Sequence, residues 1–255
     1  MTLTSRFLAA AATAALLAFP APSQAQSFSP AQRGEIEQII KDYLLAHPEL
    51  LEEVSNELDK RKQLAEAEKA RTAIKNHSTA LFNSPRQVTI GNAQGDVTLV
   101  EFFDYNCGYC KRALSDLQEL MKGDGKLKVV LKEFPVLGPG SVEAAQVAVA
   151  VRMQDKTGRK YFEFHQRLLG GRGQVDKARA LAAAKETGFD IARLEKDMAT
   201  DEARLTLDEN MKLAEALGLN GTPSYVVGSD VVIGAVGLEA LKLKVNTARC
   251  GKATC

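Results

Sequence analysis

The sequence predicts an α/β protein: a buried sheet that carries a reactive turn, a helical insertion within it, and a helical extension before it. Three observations support this. An apolar run, Val97, Leu99, Val100, Phe102 and Phe103, leads into Cys107-Gly108-Tyr109-Cys110 and then into helical spacing at Leu114, Leu117 and Met121. A second apolar strand, residues 127–134, is reached through that helix, so the two strands should run parallel in a right-handed βαβ unit. Strand character returns at residues 219–233 only after a long helical stretch, residues 138–218.

The chain has 255 residues, 45% of them hydrophobic, with a net charge of +1. That is enough for one sizeable domain and an accessory element. The near-neutral charge argues for no nucleic-acid partner.

Residues 1–25 read as an export signal. Arg6 supplies the positive start, residues 7–19 the apolar core, and Ser23-Gln24-Ala25 the small-residue cleavage pattern, with the cut after Ala25. The core is too short to span a bilayer. Export would put the four cysteines in an oxidising compartment.

Residues 26–82 form a separate helical segment. Ser29-Pro30 opens a first helix, with Ile36, Ile39, Ile40, Tyr43 and Leu44 on one face. Ala46-His47-Pro48 breaks it, because proline disfavours helix in the residue before it. A second helix follows through Leu50, Leu51, Val54, Leu58 and Leu64 to about Asn76. Its later part is mostly charged residues and alanine. Two readings compete: a solvated helix beside the main domain, or self-association through residues 26–80 as a dimer or trimer.

The main domain spans residues 86–255, after a boundary at Ser84-Pro85. Residues 87–90 read as an edge strand and 91–96 as a turn. Helices are expected over 141–154, 161–169, 175–186, 191–198 and 202–217, with a flexible break at 170–173. A hairpin turning at Gly228-Ser229-Asp230 and a last helix over 238–245 complete it.

The two central cysteines sit where a buried strand hands over to a helix. The first amides of a helix lack intrahelical partners and the helix dipole is positive there, so a thiolate is stabilised. Cys107 is the outer thiol and the expected nucleophile. Cys110, one turn further in, would resolve the mixed disulfide. Gly108 and Tyr109 between them would tune the thiolate. The competing readings are half of a zinc site or an inert disulfide. Cys250 and Cys255 are too widely spaced for a zinc knuckle. They read as a structural disulfide, or else as an auxiliary redox pair or a Cu(I) site.

Two further features stand out. Glu101 interrupts an apolar strand and Lys132 interrupts its neighbour; a buried carboxylate is costly unless paired or protonated, so the two are expected to pair beneath the cysteines, the competing reading being a charge at a strand edge that faces water. Thr222-Pro223 opens a strand, where proline cannot donate a ladder hydrogen bond. On its own this is equally an edge-strand proline without a role.

The segments EFFDYNCGYC, VVLKEF at 129–134 and GTPSYVV at 221–227, in that order, resemble the DsbA-like branch of the thioredoxin superfamily over about residues 87–249. The N-terminal segment is similar to the extension of suppressor-of-copper-sensitivity proteins and related DsbA-like isomerases. The resemblance implies a thioredoxin fold with the helical insertion, and protein thiol–disulfide exchange, as oxidase or isomerase, without cofactor or metal. It implies that Pro223 is cis and faces the cysteines, and that the Thr222 backbone binds an extended client. It also implies that Glu101 relays a proton for Cys110. Expected partners are client proteins and a membrane redox protein, and the expected location is the periplasm. Self-association would favour the isomerase. The contrasting expectation is a copper-binding or client-holding protein that uses the thiols as ligands.

Overall fold

The computed structural model describes residues 28–155 and 157–255. The expected export signal, residues 1–25, lies outside the described residues. The chain forms two compact units, one ending at Leu58 and the other running Asp59–Cys255.

The first unit holds α1 (Pro30–Ala46) and the start of α2 (Glu49–Asn76). Ser29 begins α1 with a reciprocal cap: its Oγ accepts from the Gln32 amide at 3.3 Å, and the Gln32 side chain accepts from the Ser29 amide at 2.9 Å. Pro30 follows at the first helical position, where its missing N–H costs nothing. The helix stops at His47, before Pro48. No residue of α1 is buried. Ile39, Ile40, Tyr43, Leu51, Val54 and Leu58 are all exposed.

The second unit contains the rest of α2, then α3 (Ser78–Phe82), β1 (Val88–Gly91), β2 (Val97–Phe103), α4 (Gly108–Gly123) and β3 (Leu127–Glu133). Five helices follow: α5 (Pro139–Gln154), α6 (Arg159–Gly170), α7 (Lys177–Glu186), α8 (Ile191–Met198) and α9 (Asp201–Ala216). The chain ends with β4 (Ser224–Val227), β5 (Asp230–Ile233) and α10 (Leu238–Cys250). The sheet order is β1-β3-β2-β4-β5. β2 and β3 are parallel, as the helical crossover requires, and the other pairs are antiparallel. The tight turn into β2 needs Gly95, where a Cβ would collide with the backbone of Lys126 and Lys128.

Alternation along the central strands divides the core. Leu99, Phe103, Val129, Leu131, Tyr225 and Val227 face one side, with Leu117 of α4, Phe164 of α6 and Leu241 of α10. Val100, Phe102, Val130 and Val226 face the other, with Leu213 and Leu217 and with Ile74 and Leu81. The end of α2 and all of α3 therefore belong to the sheet's second face. An ion network rims that face: Arg152 donates to Glu202 at 2.6 Å and to the Pro85 carbonyl at 3.0 Å, and Arg86 reaches Glu202 and Glu209.

Leu81 is wholly buried. Leu81→Ala should lower the unfolding free energy by about 3 kcal/mol, the usual cost of a leucine-sized core cavity. Urea denaturation measures this. A loss under about 1 kcal/mol would mean that α3 lies outside the cooperative core.

Candidate active site

The site is built where β2 ends. Cys107 is the N-cap residue of α4, with extended backbone, and its Sγ accepts from the Cys110 amide at 3.4 Å. A sulfur thus occupies the place that Ser or Asp usually takes at a helix start. β4 pairs with β2, Ser224 opposite Phe102, and so brings the preceding loop against α4. The Thr222–Pro223 peptide is cis. The Thr222 carbonyl oxygen lies 3.1 Å from Cys107 Sγ. A thiol can donate to that oxygen and a thiolate cannot. Cys107 and Cys110 are both reduced and buried, while Gly108 and Tyr109 between them are exposed.

The two sulfurs are driven apart in acidity. Hydrogen bonding from the Cys110 side chain, then from the Thr222 side chain and from the Cys110 and Tyr109 amides, lowers the Cys107 pKa from 9.0 to about 5, against the upward push of burial. Cys110 goes the other way: its bond to Cys107, its burial and the nearby Glu101 all favour the neutral thiol.

Glu101 is buried on the same sheet face as Leu99 and Phe103, with Oε2 unpartnered. Burial, then the charge on Cys107, raises its pKa to about 8. The expected pairing with Lys132 does not occur. Glu101 stands opposite Leu131, and Lys132 stands opposite Phe102. One residue of offset between adjacent strands turns the two side chains to opposite faces of the sheet. Lys132 is instead fully buried on the second face, 3.9 Å from Glu209, with no hydrogen bond. Burial lowers its pKa to about 8, against the raising effect of Glu209.

Sequence reasoning missed the residues that hold the loop before Cys107. Asp104 is buried and accepts four hydrogen bonds, from the amides of Asn106, Val136 and Leu137 and from the Ser141 hydroxyl, at 2.7–2.9 Å. Asn106 clamps the insertion: its Nδ2 donates to the Val175 carbonyl at 2.9 Å and its Oδ1 accepts from the Val175 amide at 2.7 Å. The available signal was a polar Asp104-Tyr105-Asn106 at the end of an apolar strand. Deeper in, Tyr161 donates to Glu133 at 2.6 Å, and the Tyr105 hydroxyl lies 3.3 Å from that of Tyr161 and 3.4 Å from His165 Nδ1. His165 is wholly buried, and burial lowers its pKa to about 3. Cys250 and Cys255 are disulfide-bonded at the end of α10. Among the described residues, no three His, Cys, Asp or Glu side chains converge as a metal site.

The chain matches the DSBA-like thioredoxin domain family over residues 98–246. It belongs to that family. Residues 32–65 match a second family, the copper resistance protein ScsC N-terminal domain. The DsbA-like domain has several solved relatives. A thioredoxin-like oxidoreductase from Silicibacter pomeroyi is 43% identical, covering 67% of this chain and 96% of that one, with a TM-score of 0.64. A linker-deletion mutant of ScsC from Proteus mirabilis is 30% identical, covering 89% and 98%, with a TM-score of 0.65. The thiol-disulfide exchange protein alpha-DsbA2 from Wolbachia pipientis is 29% identical, covering 71% and 97%, with a TM-score of 0.66. The chain also matches curated Na(+)/H(+) antiporters. In NhaA 1 of Salinispora arenicola the identity is 27% over 163 residues, and the match spans only 24% of that protein's length. The fold is therefore that of DsbA-like thiol–disulfide oxidoreductases: a thioredoxin sheet with a helical insertion and an N-terminal helical region.

The shifted groups give the reduced protein a characteristic pH response. Cys107 holds its proton less tightly when folded, so it adds stability as pH rises from about 5 to 9 and loses it as pH falls through 5. Glu101 holds its proton more tightly when folded, so its contribution is complete below 4.5 and is lost as pH rises through 8. Between pH 5 and 8 the two slopes oppose each other. Glu101→Gln removes the falling one, so stability of the reduced variant should climb with pH more steeply than wild type. Urea midpoints across that range test it, and parallel curves for the two proteins would sink the assignment.

Proposed function

We propose that the protein is an exported thiol–disulfide oxidoreductase that acts on other proteins in the periplasm. The observation that carries this reading is the geometry of the pair: Cys107 Sγ caps α4 and accepts from the Cys110 amide, with Cys110 wholly buried behind it, which makes Cys107 the stronger acid and Cys110 the weaker. Such a pair suits one sulfur to attack and the other to wait. The export pattern of residues 1–25 supports the location.

In this mechanism the Cys107 thiolate attacks one sulfur of a client disulfide. The Cys107–client bond forms as the client S–S bond breaks, and the second client sulfur leaves as a thiolate. The Thr222 backbone beside the cis peptide pairs with the extended client. Ionised Cys107 is one cause of the raised Glu101 pKa. Once Cys107 is tied up in the mixed disulfide, that charge is gone and Glu101 ionises more readily. Its carboxylate then takes the proton of Cys110, whose thiolate attacks Cys107 Sγ and releases the client. Lys132, on the opposite face of the sheet, has no part in these steps. The same steps in reverse oxidise a reduced client.

Cys110→Ala should trap client mixed disulfides that Cys107→Ala cannot form. Scrambled-ribonuclease turnover should be lost in both, with Glu101→Gln slowed about a hundredfold at neutral pH. Full turnover by Cys107→Ala would falsify the site. Non-reducing gels and turnover assays read these outcomes.

The exposed apolar residues of α1 and early α2 support self-association through that segment, and with it an isomerase rather than an oxidase. Sites gathered around one cavity can hold a misfolded client and keep it from a membrane oxidant. Light scattering should give a dimer or trimer for the mature chain and a monomer once residues 26–58 are removed. That cut spares Ile74 and Leu81. A monomeric mature chain would remove the argument for isomerase.

A further inference from the structure

Lys111 follows Cys110 directly and reaches across to the insertion. Its Nζ donates to the carbonyl oxygens of Gly171 at 3.2 Å and Gly173 at 3.1 Å. Arg172, between those two glycines, is exposed. Arg179 closes on the same loop from α7. A Cβ on Gly171 would fall 2.5 Å from its Nη2, and Nη1 lies 3.5 Å from the Gln174 carbonyl. Arg112 is exposed and stacks on the exposed Tyr109 ring, 4.4 Å from its centroid. Two cations, Lys111 and Arg112, thus follow the cysteines directly, and two more, Arg172 and Arg179, belong to the insertion loop that Lys111 holds.

Three carboxylates of the insertion are engaged elsewhere. Asp176 accepts from the Arg179 amide at 2.9 Å, and Glu143 accepts from the Lys177 amide at 3.2 Å, so both serve the start of α7. Glu186 pairs with Arg167 at 2.5 Å. None of these oxygens meets the ammonium of Lys111 or the guanidinium of Arg112, Arg172 or Arg179.

We propose that this cationic rim selects clients whose reacting disulfide is flanked by an acidic peptide segment. The proposal rests on the redox reading of Cys107 and adds a substrate class to it. Cations held beside a buried nucleophile raise the local concentration of an anionic segment and speed its encounter. The sulfur chemistry is unchanged: the Cys107–client bond forms, the client S–S bond breaks, and one thiolate leaves. Lys111 is held in place by the two carbonyls, so it loses little side-chain freedom when a client docks.

The test uses the reduced full-length mature protein in stopped flow. Two synthetic peptides carry the same mixed disulfide with 2-mercaptoethanol, one flanked by glutamates and one by lysines. Bis(2-hydroxyethyl) disulfide is the neutral reference. At low salt the acidic peptide should react roughly tenfold faster than the basic one, with the gap closing as salt is added. In Arg172→Glu, which alters an exposed loop side chain, the ratio of acidic to basic rates should fall severalfold. Equal rates for both peptides in a protein that reacts with the neutral disulfide would overturn the proposal and spare the redox reading. An unchanged ratio in Arg172→Glu would also overturn it. No reaction with the neutral disulfide would overturn the redox reading and this proposal with it.

Discussion

The contact on which the rest depends is the Cys110 amide donating to Cys107 Sγ at the first turn of α4. A helix start leaves amides without partners, and here a sulfur takes one of them. The Cys110 thiol adds the larger contribution: its hydrogen bond to Cys107 favours negative charge on the outer sulfur and keeps the inner one neutral, and the amide reinforces this. The surrounding elements serve that arrangement. β2 ends where the helix must begin, β4 sets the cis Thr222–Pro223 loop against the sulfur, and Asp104 ties the intervening loop to the segment after β3.

The insertion does more than cover the sheet. It meets the reactive turn from both sides, through Asn106 on Val175 before the cysteines and through Lys111 on Gly171 and Gly173 after them. These bonds join side chains to backbone, so they constrain position while leaving the insertion's own side chains free to vary. The buried charges are kept apart by the sheet itself. Glu101 sits on the sulfur side, as does Glu133 with its Tyr161 donor, and Lys132 with Glu209 sits on the far side. A lysine beside Glu101 would hold it ionised. Without one, burial keeps it protonated, and the charge on Cys107 adds to that effect.

Much of this was legible in the chain. The parallel β2–α4–β3 unit followed from two apolar runs separated by a helix-length segment. The break at His47-Pro48 followed from proline's effect on its predecessor. The place of Cys107 and Cys110 at a helix start followed from the strand-to-helix junction. Glu101 was also visible, because a carboxylate within an apolar strand stands out. Its partner was not. Whether two residues on neighbouring strands share a face depends on register to within one residue, and apolar runs buried on both faces carry no alternation to reveal it. Asp104, Asn106 and Ser141 were missed for a related reason: apart from the Asn106 amide on Asp104, their partners lie 32 to 69 residues away and are mostly backbone groups, which have no signature in sequence.

By itself, then, the order of residues determined the fold class, the helix limits set by proline and capping groups, and the place of the sulfur pair at the strand-to-helix junction. These are local matters, governed by neighbours a few residues apart. Only the tertiary structure decided which face Glu101 and Lys132 occupy, that α3 belongs to the core, and that the insertion grips the turn around the cysteines. Those depend on strand register and on contacts between distant segments, which arise only when the sheet has formed.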